Sequence, residues 1–570
     1  MANPRIVLWA ALGLVLYLNY LAWQKDYAPS APPPAATQQG SAQPGAAAPA
    51  APSLADAVPE ASTTTTTQQQ AGEAPLPTAQ QPAVPGVGDA GGDKVRVVTD
   101  VLDLDLALKG GTFTRAELLV YPQRKGQPGL VRLFEDRPGQ HIYLFQSGLT
   151  SPSGSAPTHA ATFSAESKEY RLQEGNDEIR VPLTWTNDQG VTVTKTYVFE
   201  RGSYRVKVEY DVRNAGSAPY AAASYVQTLK DQPERERSWF DVEGYAFVGP
   251  ALWDGSRYEK LDIDDDEDST FKADVTNGWL AAMQHHFVAA AVPAKDLAYK
   301  FRLQVQGRTF SFSALGPTQS VAPGASAQLS ETLFIGPKLQ EQLEAVHPEL
   351  DRTTDYGMLY IIAQPLFVLL GWIHDLAGNW GWAIIIVTIL IKLAFYPLSE
   401  ASGRSMAKMR ALAPRIKNIQ ERYKDDREQL GRSMMELYKR EKINPLAGCL
   451  PILIQIPVFL AFYWVLLESV EMRQAPFMLW INDLSSRDPV FVLPILMGAA
   501  MFGQYKLNPA PPDPVQAKVF MFMPLIMTVM FAWFPSGLVL YWLTNTVLSI
   551  AQQWRINRVV EAQQKKAKSE

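Results

Sequence analysis

Apolar residues are distributed in three different ways along the 570 positions of this chain. Near the start they form one unbroken run, 6–23. Between about 94 and 338 they recur at every second position. Beyond Asp355 they gather into the runs 358–376, 380–398, 450–467, 489–502, 519–534 and 537–550. A period of two is what a strand with one buried face requires. Tyr204, Val206, Val208 and Tyr210 alternate with Arg205, Lys207 and Glu209, and 191–197 and 302–312 repeat the pattern. Turn signals at Gly110-Gly111, Asn187-Asp188 and Asn214-Ala215-Gly216 separate such stretches. The pattern predicts a large β-sandwich-like domain over 94–345, with the His285-His286 pair on a strand surface.

The run 6–23 is long enough to cross a bilayer. Arg5 precedes it, and Gln24-Lys25-Asp26 follows in place of a small-residue cleavage site, so 1–27 reads as a signal anchor with a cytoplasmic N-terminus. Segment 28–93 is rich in Pro, Ala, Gln, Thr and Gly and is expected to be a disordered tether, because it cannot bury enough apolar surface to offset its ordering entropy. The β-domain is then exported. The loop between Ser399 and Asn444 carries twelve Lys or Arg against seven Asp or Glu, which assigns it to the cytoplasm.

An odd number of spans must separate an exported domain from a cytoplasmic loop, so 358–376 and 380–398 cannot both cross. The first contains Gln364-Pro365 and His374-Asp375 and is expected to lie along the outer interface, as an amphipathic helix within 350–378. The fold class that results is a polytopic α-helical membrane protein with six transmembrane helices. Five of them fall within 379–555, interrupted by a cytoplasmic helical hairpin at 400–445 and followed by a basic cytoplasmic tail, 556–570. The fourth and fifth spans have only about 14 to 16 strongly apolar residues, roughly 21 to 24 Å of helix against a hydrocarbon core of about 30 Å, which predicts local thinning of the bilayer.

Charge and composition add exclusions. The net charge of −5 arises from segregated acidic and basic regions and leaves no nucleic-acid footprint, so no DNA partner is expected. The single cysteine, Cys449, permits no intramolecular disulfide, and the six histidines show no metal-ligand spacing. The acidic stretch 262–268 lacks the spaced glycine and closing glutamate of a calcium loop and reads as a solvated loop. Neither a metal nor another cofactor is expected.

Within the membrane runs a few polar residues stand out. Lys392 lies four residues after Thr388, on the same helical face, and Gln455 sits in the third span. Trp542, Asn545, Ser549 and Gln552 form a stripe on the sixth. Such residues either line a wet groove or bond helices to one another, and Lys392 can also reach the cytoplasmic surface. No nucleophile-and-base pair or phosphate loop accompanies them, so the chain does not read as an enzyme. In the hairpin, Met406, Met409, Ala413, Ile416 and Tyr423 follow near-heptad spacing, opposite Leu430, Met434 and Leu437. Asp426 with Gln429 reads as a helix N-cap, and Pro414 as a kink.

Several of these stretches resemble the YidC/Oxa/Alb family of membrane insertases. They are Asn379-Trp380-Gly381-Trp382 through Tyr396-Pro397-Leu398, Ser405-Met406-Ala407-Lys408-Met409, Asn444-Pro445-Leu446-Ala447-Gly448-Cys449, Leu453-Ile454-Gln455-Ile456-Pro457, Arg473-Gln474-Ala475-Pro476-Phe477 and Trp533-Phe534-Pro535-Ser536-Gly537-Leu538. The order of the remaining regions is similar to that of the Gram-negative members. The resemblance implies an inner-membrane protein whose five-helix core encloses a hydrophilic groove, open to cytoplasm and lipid and closed outside. The groove would carry one positive residue, at Lys392, where many members have arginine, with Thr388, Gln455, Trp542 and Asn545 lining it. It implies a β-supersandwich for the exported domain, and a recruiting role for hairpin cations such as Lys408, Arg410, Arg415, Lys417, Lys424 and Arg427. The implied partners are nascent membrane proteins, the SecYEG translocon, the ribosome, the signal-recognition-particle receptor and membrane lipids.

Two other classes stay open on the residues alone. A transporter or channel for an anionic solute would show inverted repeats or paired broken helices. An envelope scaffold acting through the β-domain would fail on deletion of 94–338, which an insertase should largely survive. The topology makes its own prediction: a cysteine at Ser402 should be shielded from an impermeant reagent applied outside, and one at Ser485 should react. Labelling at 402 from outside would overturn the six-span arrangement.

Overall fold

The computed structural model describes residues 93–137, 141–152, 155–234, 246–423, 426–441, 450–507 and 514–569. The anchor 1–27 and nearly all of the tether lie outside the described residues, as does Cys449.

Residues 94–337 form two facing sheets, twelve and nine strands among the described residues. Almost every pairing is antiparallel; Lys94–Val98 beside Glu169–Arg171 is parallel. The expected alternation is realised in Arg205–Asn214, where Val206, Val208, Tyr210 and Val212 face the core. The turn chemistry also follows the residues. Asn187 Oδ1 accepts from the backbone N–H groups of Gln189 and Val191, and Asn214 Oδ1 from that of Gly216. The stretch 302–312 is not one strand, because Gly307 (φ 61°) turns the chain between Ala298–Gln306 and Thr309–Leu315. The alternation also carries two charged groups inward. Lys195 is fully buried and donates to the carbonyls of Gly110 and Ser147 at 2.9 and 2.7 Å, and Glu331 is buried as well. Burial pulls the Lys195 ammonium down to about 7 and pushes the Glu331 carboxyl up to about 7. At the acidic stretch the carboxylates accept from their own loop's N–H groups, and Asp264 pairs with Arg308 at 2.5 Å.

The helical part comprises α1 (Gln340–Val346), α2 (Tyr360–Ala377), α3 (Trp380–Ala394), α4 (Tyr396–Ala411), α5 (Ala413–Arg422), α6 (Arg427–Arg440), α7 (Leu450–Glu468), α8 (Val492–Leu507), α9 (Pro514–Phe531) and α10 (Ser536–Ser569). Its outer surface carries an apolar belt. Leu393, Ile495, Leu525, Ile526 and Val529 are each more than half exposed. A surface of this kind is stable against lipid and not against water.

By length and hydropathy, the stretch long and apolar enough to cross a membrane among the described residues is Gly357–Ala377, whereas Trp380–Ala394, Gln455–Glu468, Val492–Leu507 and Lys518–Phe531 are shorter. Yet both ends of α2 are tied to the same group of loops. At its start Tyr356 Oη lies 3.1 Å from Ser469 Oγ, just past the end of α7. At its end Gly378 closes the helix in the left-handed conformation, and Asn379, the N-cap of α3, donates to the carbonyls of Pro476 and Phe477. Ile361, Val368, Trp372 and Leu376 remain exposed on its free side, so its amphipathicity is one of packing and not of polarity.

The same loop, 473–491, closes one end of the helical core. Ser486 O accepts from the N–H and hydroxyl of Ser536, and Leu484 O from Gly537 N–H. Gly381 lies so close to Phe477 that an added Cβ would come within 2.1 Å of its ring. Asp488, 1% exposed, holds the loop by accepting from Trp480 Nε1 and from the N–H groups of Val490 and Leu493, at 2.8–3.0 Å. Asp488→Ala removes the acceptor of all three and leaves the buried Leu493 N–H without a partner, which should cost about 2–3 kcal/mol, read as a lowered unfolding temperature in detergent; an unchanged value would mean that the loop does not need this acceptor.

Candidate functional site

Two of the polar residues singled out in the sequence meet. Gln455 on α7 donates its amide to Asn545 Oδ1 on α10 at 3.1 Å, and both are half-buried. One turn farther along each helix the surroundings become aromatic. Phe459 packs against Trp542 at 4.4 Å and Tyr541 at 5.7 Å, and Trp542 against Phe531 of α9 at 4.7 Å. These are residues i+4 from Gln455 and i−3 or i−4 from Asn545, so helical spacing alone places an aromatic layer beside the polar pair. The layer lies between that pair and the closing loop 473–491. Trp542 thus stands at the boundary, joining α7, α9 and α10.

Thr388 is buried, and its hydroxyl turns back on its own helix to Ile384 O at 2.6 Å. Ser549 does the same to Asn545 O at 2.7 Å. Lys392, at the opposite end of α3 from the closing loop, is half-buried and makes no hydrogen bond or ion pair among the described residues. Gln552 has a buried amide nitrogen with no protein partner among the described residues. Polar groups left this way need water or a ligand.

The hairpin is α4 to α6. Its arms break at Leu412, with Pro414 in the first turn of α5, where a proline is tolerated. Asp426 caps α6 by accepting from Gln429 N–H at 2.9 Å. Arg415 pairs with Glu441 across the arms at 2.8 Å, and Lys417 with Glu421 at 3.8 Å. Lys424 lies outside the described residues, as do the side chains of Lys408, Arg410 and Arg427. A cleft of about 700 Å³, lined by Arg415, Ile419, Arg422, Tyr423, Leu437 and Arg440, separates the arms. The first arm also docks on the last helix, where Gly403 admits Ile556. The sequence carried no signal of that contact beyond the small residue itself.

Among the described residues, two sets of hydrogen bonds join the β-domain to the helical core. On one side Arg473 donates to the carbonyls of Pro122 and Gln123, and Lys125 to those of Gln474 and Asn482, at 2.7–3.1 Å. On the other, the His285-His286 pair is not on a strand surface as the alternation suggested. It forms the turn between Trp279–Met283 and Phe287–Val292, with the rings stacked 3.8 Å apart. Nε2 of each lies 3.1 and 3.2 Å from the carbonyl of Leu467. Burial holds the His286 imidazole far below its usual range, at about 3, so the neutral ring donates that bond. Beside it Lys338 is fully buried, with an ammonium pKa lowered by burial and supported by Glu468 and Asp355. Alternation concealed this contact, because a short hairpin turn and a strand look alike over two residues.

Comparison with known proteins places both halves of the chain. The family described as 60Kd inner membrane protein matches residues 372–565, and the YidC periplasmic domain matches 94–369. A protein of Thioalkalivibrio sulfidiphilus named membrane protein insertase YidC is 48% identical, with 99% of this chain and 100% of the relative covered. One of the same name from Nitrosococcus oceani is 43% identical, with 98% and 99% covered. Among solved structures, an active YidC insertase with its first transmembrane domain resolved is 20% identical at a TM-score of 0.36, covering 80% of this chain and 92% of that one.

Proposed function

The chain belongs to the YidC family of membrane protein insertases, and from that premise we propose how its residues carry out insertion. It is an inner-membrane insertase with a periplasmic β-rich domain, and nascent membrane proteins are its clients. The observation that carries the proposal is the Gln455–Asn545 pair between α7 and α10, set toward the cytoplasmic side of an aromatic layer and a closed periplasmic loop. A polar client segment enters from the cytoplasm, exchanges hydrogen bonds with this pair and with Lys392, and so avoids most of the hydrocarbon. Each charge spared the bilayer centre is worth at least about 2.5 kcal/mol. Its apolar helix leaves between α7 and α9, whose lipid-facing sides are exposed and apolar. The short spans thin the bilayer at that point.

The topology proposed has six spans: the N-terminal anchor, α3, α7, α8, α9 and the membrane part of α10. Both chain ends and the hairpin lie in the cytoplasm. Helix α2 rests at the periplasmic interface, a reading supported by the tethering of both its ends to groups around the periplasmic loop. Larger clients would be received from the SecYEG translocon. The hairpin, with cations exchangeable from weak surface pairs, would receive ribosomes or their targeting receptor, and anionic lipid.

Lys392 tests the groove. Lys392→Arg should insert clients normally and Lys392→Glu should fail most with acidic clients, with Lys392→Ala intermediate and client-dependent. Equal insertion of acidic and neutral clients by all three variants at matched expression would remove charge from the mechanism. The hairpin is tested separately by shortening it between Met409 and Leu437. Recruitment of ribosomes or receptor to membranes should fall while the core keeps its unfolding temperature, and unchanged recruitment would sink the docking role.

A further inference from the structure

We propose that the closing loop 473–491 is a lipid-binding surface, whose two apolar tips, Met478-Leu479 and Val490-Phe491, enter the acyl chains of the periplasmic leaflet beside α2. The inference rests on the topology proposed above, which puts this loop and α2 on the periplasmic side.

Among the described residues, five other than glycine have a left-handed backbone: Asn277, Asp296, Gln474, Leu479 and Phe491. A side chain crowds its own backbone in that conformation, and short polar residues tolerate it best. Asn277 and Asp296 are of that kind and hydrogen-bond to each other. Gln474 uses its side chain inside the protein, where its amide donates to the carbonyl of Pro122 at 2.8 Å. Leu479 (φ 55°) and Phe491 (φ 59°) have neither property. Both are apolar and exposed, Leu479 by 76%, and neither joins the apolar core of the helices. A strained residue persists where its surroundings fix it. Phe477 N–H donates to Ile481 O and Ile481 N–H to Met478 O, which closes a tight turn around Leu479, and Asp488 fixes 490–493. Two apolar side chains are thereby turned away from the protein, in a conformation that glycine would hold at lower cost. The contact that offsets this strain lies outside the chain.

The position of the tips identifies the partner. Trp480 Nε1 donates to Asp488 Oδ1 at 3.0 Å, which ties the two tips together. The second tip runs directly into α8, whose Ile495 belongs to the apolar belt. The first adjoins Phe477, whose carbonyl accepts from Asn379 at the end of α2, where Trp372 and Leu376 are exposed. Trp382, near the start of α3, is exposed as well and packs edge-on against Phe477 at 5.5 Å. Exposed tryptophans beside aliphatic residues suit the boundary between head groups and acyl chains. The rest of the loop is polar. Gln474 O and Asn482 O accept from Lys125 of the β-domain, and Asp483 accepts from Ser485 and Ser486. The loop is thus amphipathic, and its apolar margin continues the lipid-facing belt. Lipid on the tips gives the closed end a support of its own, so that it does not depend on the β-domain alone.

The test uses the full-length chain with Cys449→Ser in vesicles of phosphatidylethanolamine and phosphatidylglycerol, spin-labelled at one cysteine: Leu479→Cys, Phe491→Cys, Ser485→Cys or Ile495→Cys. Collision with oxygen, which partitions into lipid, and with a water-soluble nickel chelate gives the depth of each label. Labels at 479 and 491 should lie about 5–10 Å inside the boundary between head groups and acyl chains. The label at 495 should lie deeper, and that at 485 in water. A label in water at 479 or 491 would overturn the inference. So would a label shielded from both reagents, because a second copy or another part of the chain would then cover the tip. If the 495 label is in water as well, the proposed topology fails with it; if 495 is in lipid, only the tips are lost. A labelled chain that no longer inserts a small client is replaced by the unsubstituted one, photolabelled by a lipid with a diazirine on an acyl carbon. Residues 478–479 and 490–491 should then be marked along with 495, and marking of 495 without the tips would count against lipid as their partner.

Discussion

The constraint on which this structure depends is the cost of an unsatisfied polar group where no water can reach it. In the helical core it explains why hydroxyls fold back on their own helices at Thr388, Ser549, Thr528 and Thr544. It also explains why the amides of Gln455 and Asn545 face each other. Against that background the half-buried Lys392, with no partner among the described residues, and the buried amide nitrogen of Gln552 mark where the rule is relaxed. Relaxation of this kind is what the proposed path for polar chain segments requires.

The same constraint governs the junction between the domains. A helix that ends inside protein must have its last carbonyls satisfied, and the β-domain supplies the donors. Removing that domain would expose Leu467 O to water and leave Glu468 without Lys338. The periplasmic domain thus forms part of the helical core's boundary, through the turn at His285 and His286.

Much of this was legible in the sequence where one residue type has one physical use. Alternation located Arg205–Asn214, Asn187 and Asn214 announced their turns, and Asp426 its helix. The polar positions of α7 and α10 were visible because amides within strongly apolar runs are rare. Legibility failed where a pattern has two readings. Alternation sent His285 and His286 to a strand face and gave no warning that Lys195 would face inward. Hydropathy alone gives α2 the character of a span; the charge parity of the sequence and the contacts at its two ends both support the reading that it lies along the surface. The aromatic layer around Trp542 and the role of Asp488 depend on three-dimensional neighbours far apart in the chain.

The sealed periplasmic loop has a consequence for the electric field. If the groove proposed above is wet from the cytoplasm, its water carries the cytoplasmic potential inward, and the membrane voltage then falls mainly across the aromatic layer and the loop held by Asp488. A negatively charged residue delivered to Lys392 has not yet crossed that drop. Its last short step outward takes it from the negative to the positive side, downhill by about 2.3 kcal/mol for each charge and each 100 mV. On that proposal a closed loop would concentrate the voltage over the short distance where an acidic client tail needs a pull.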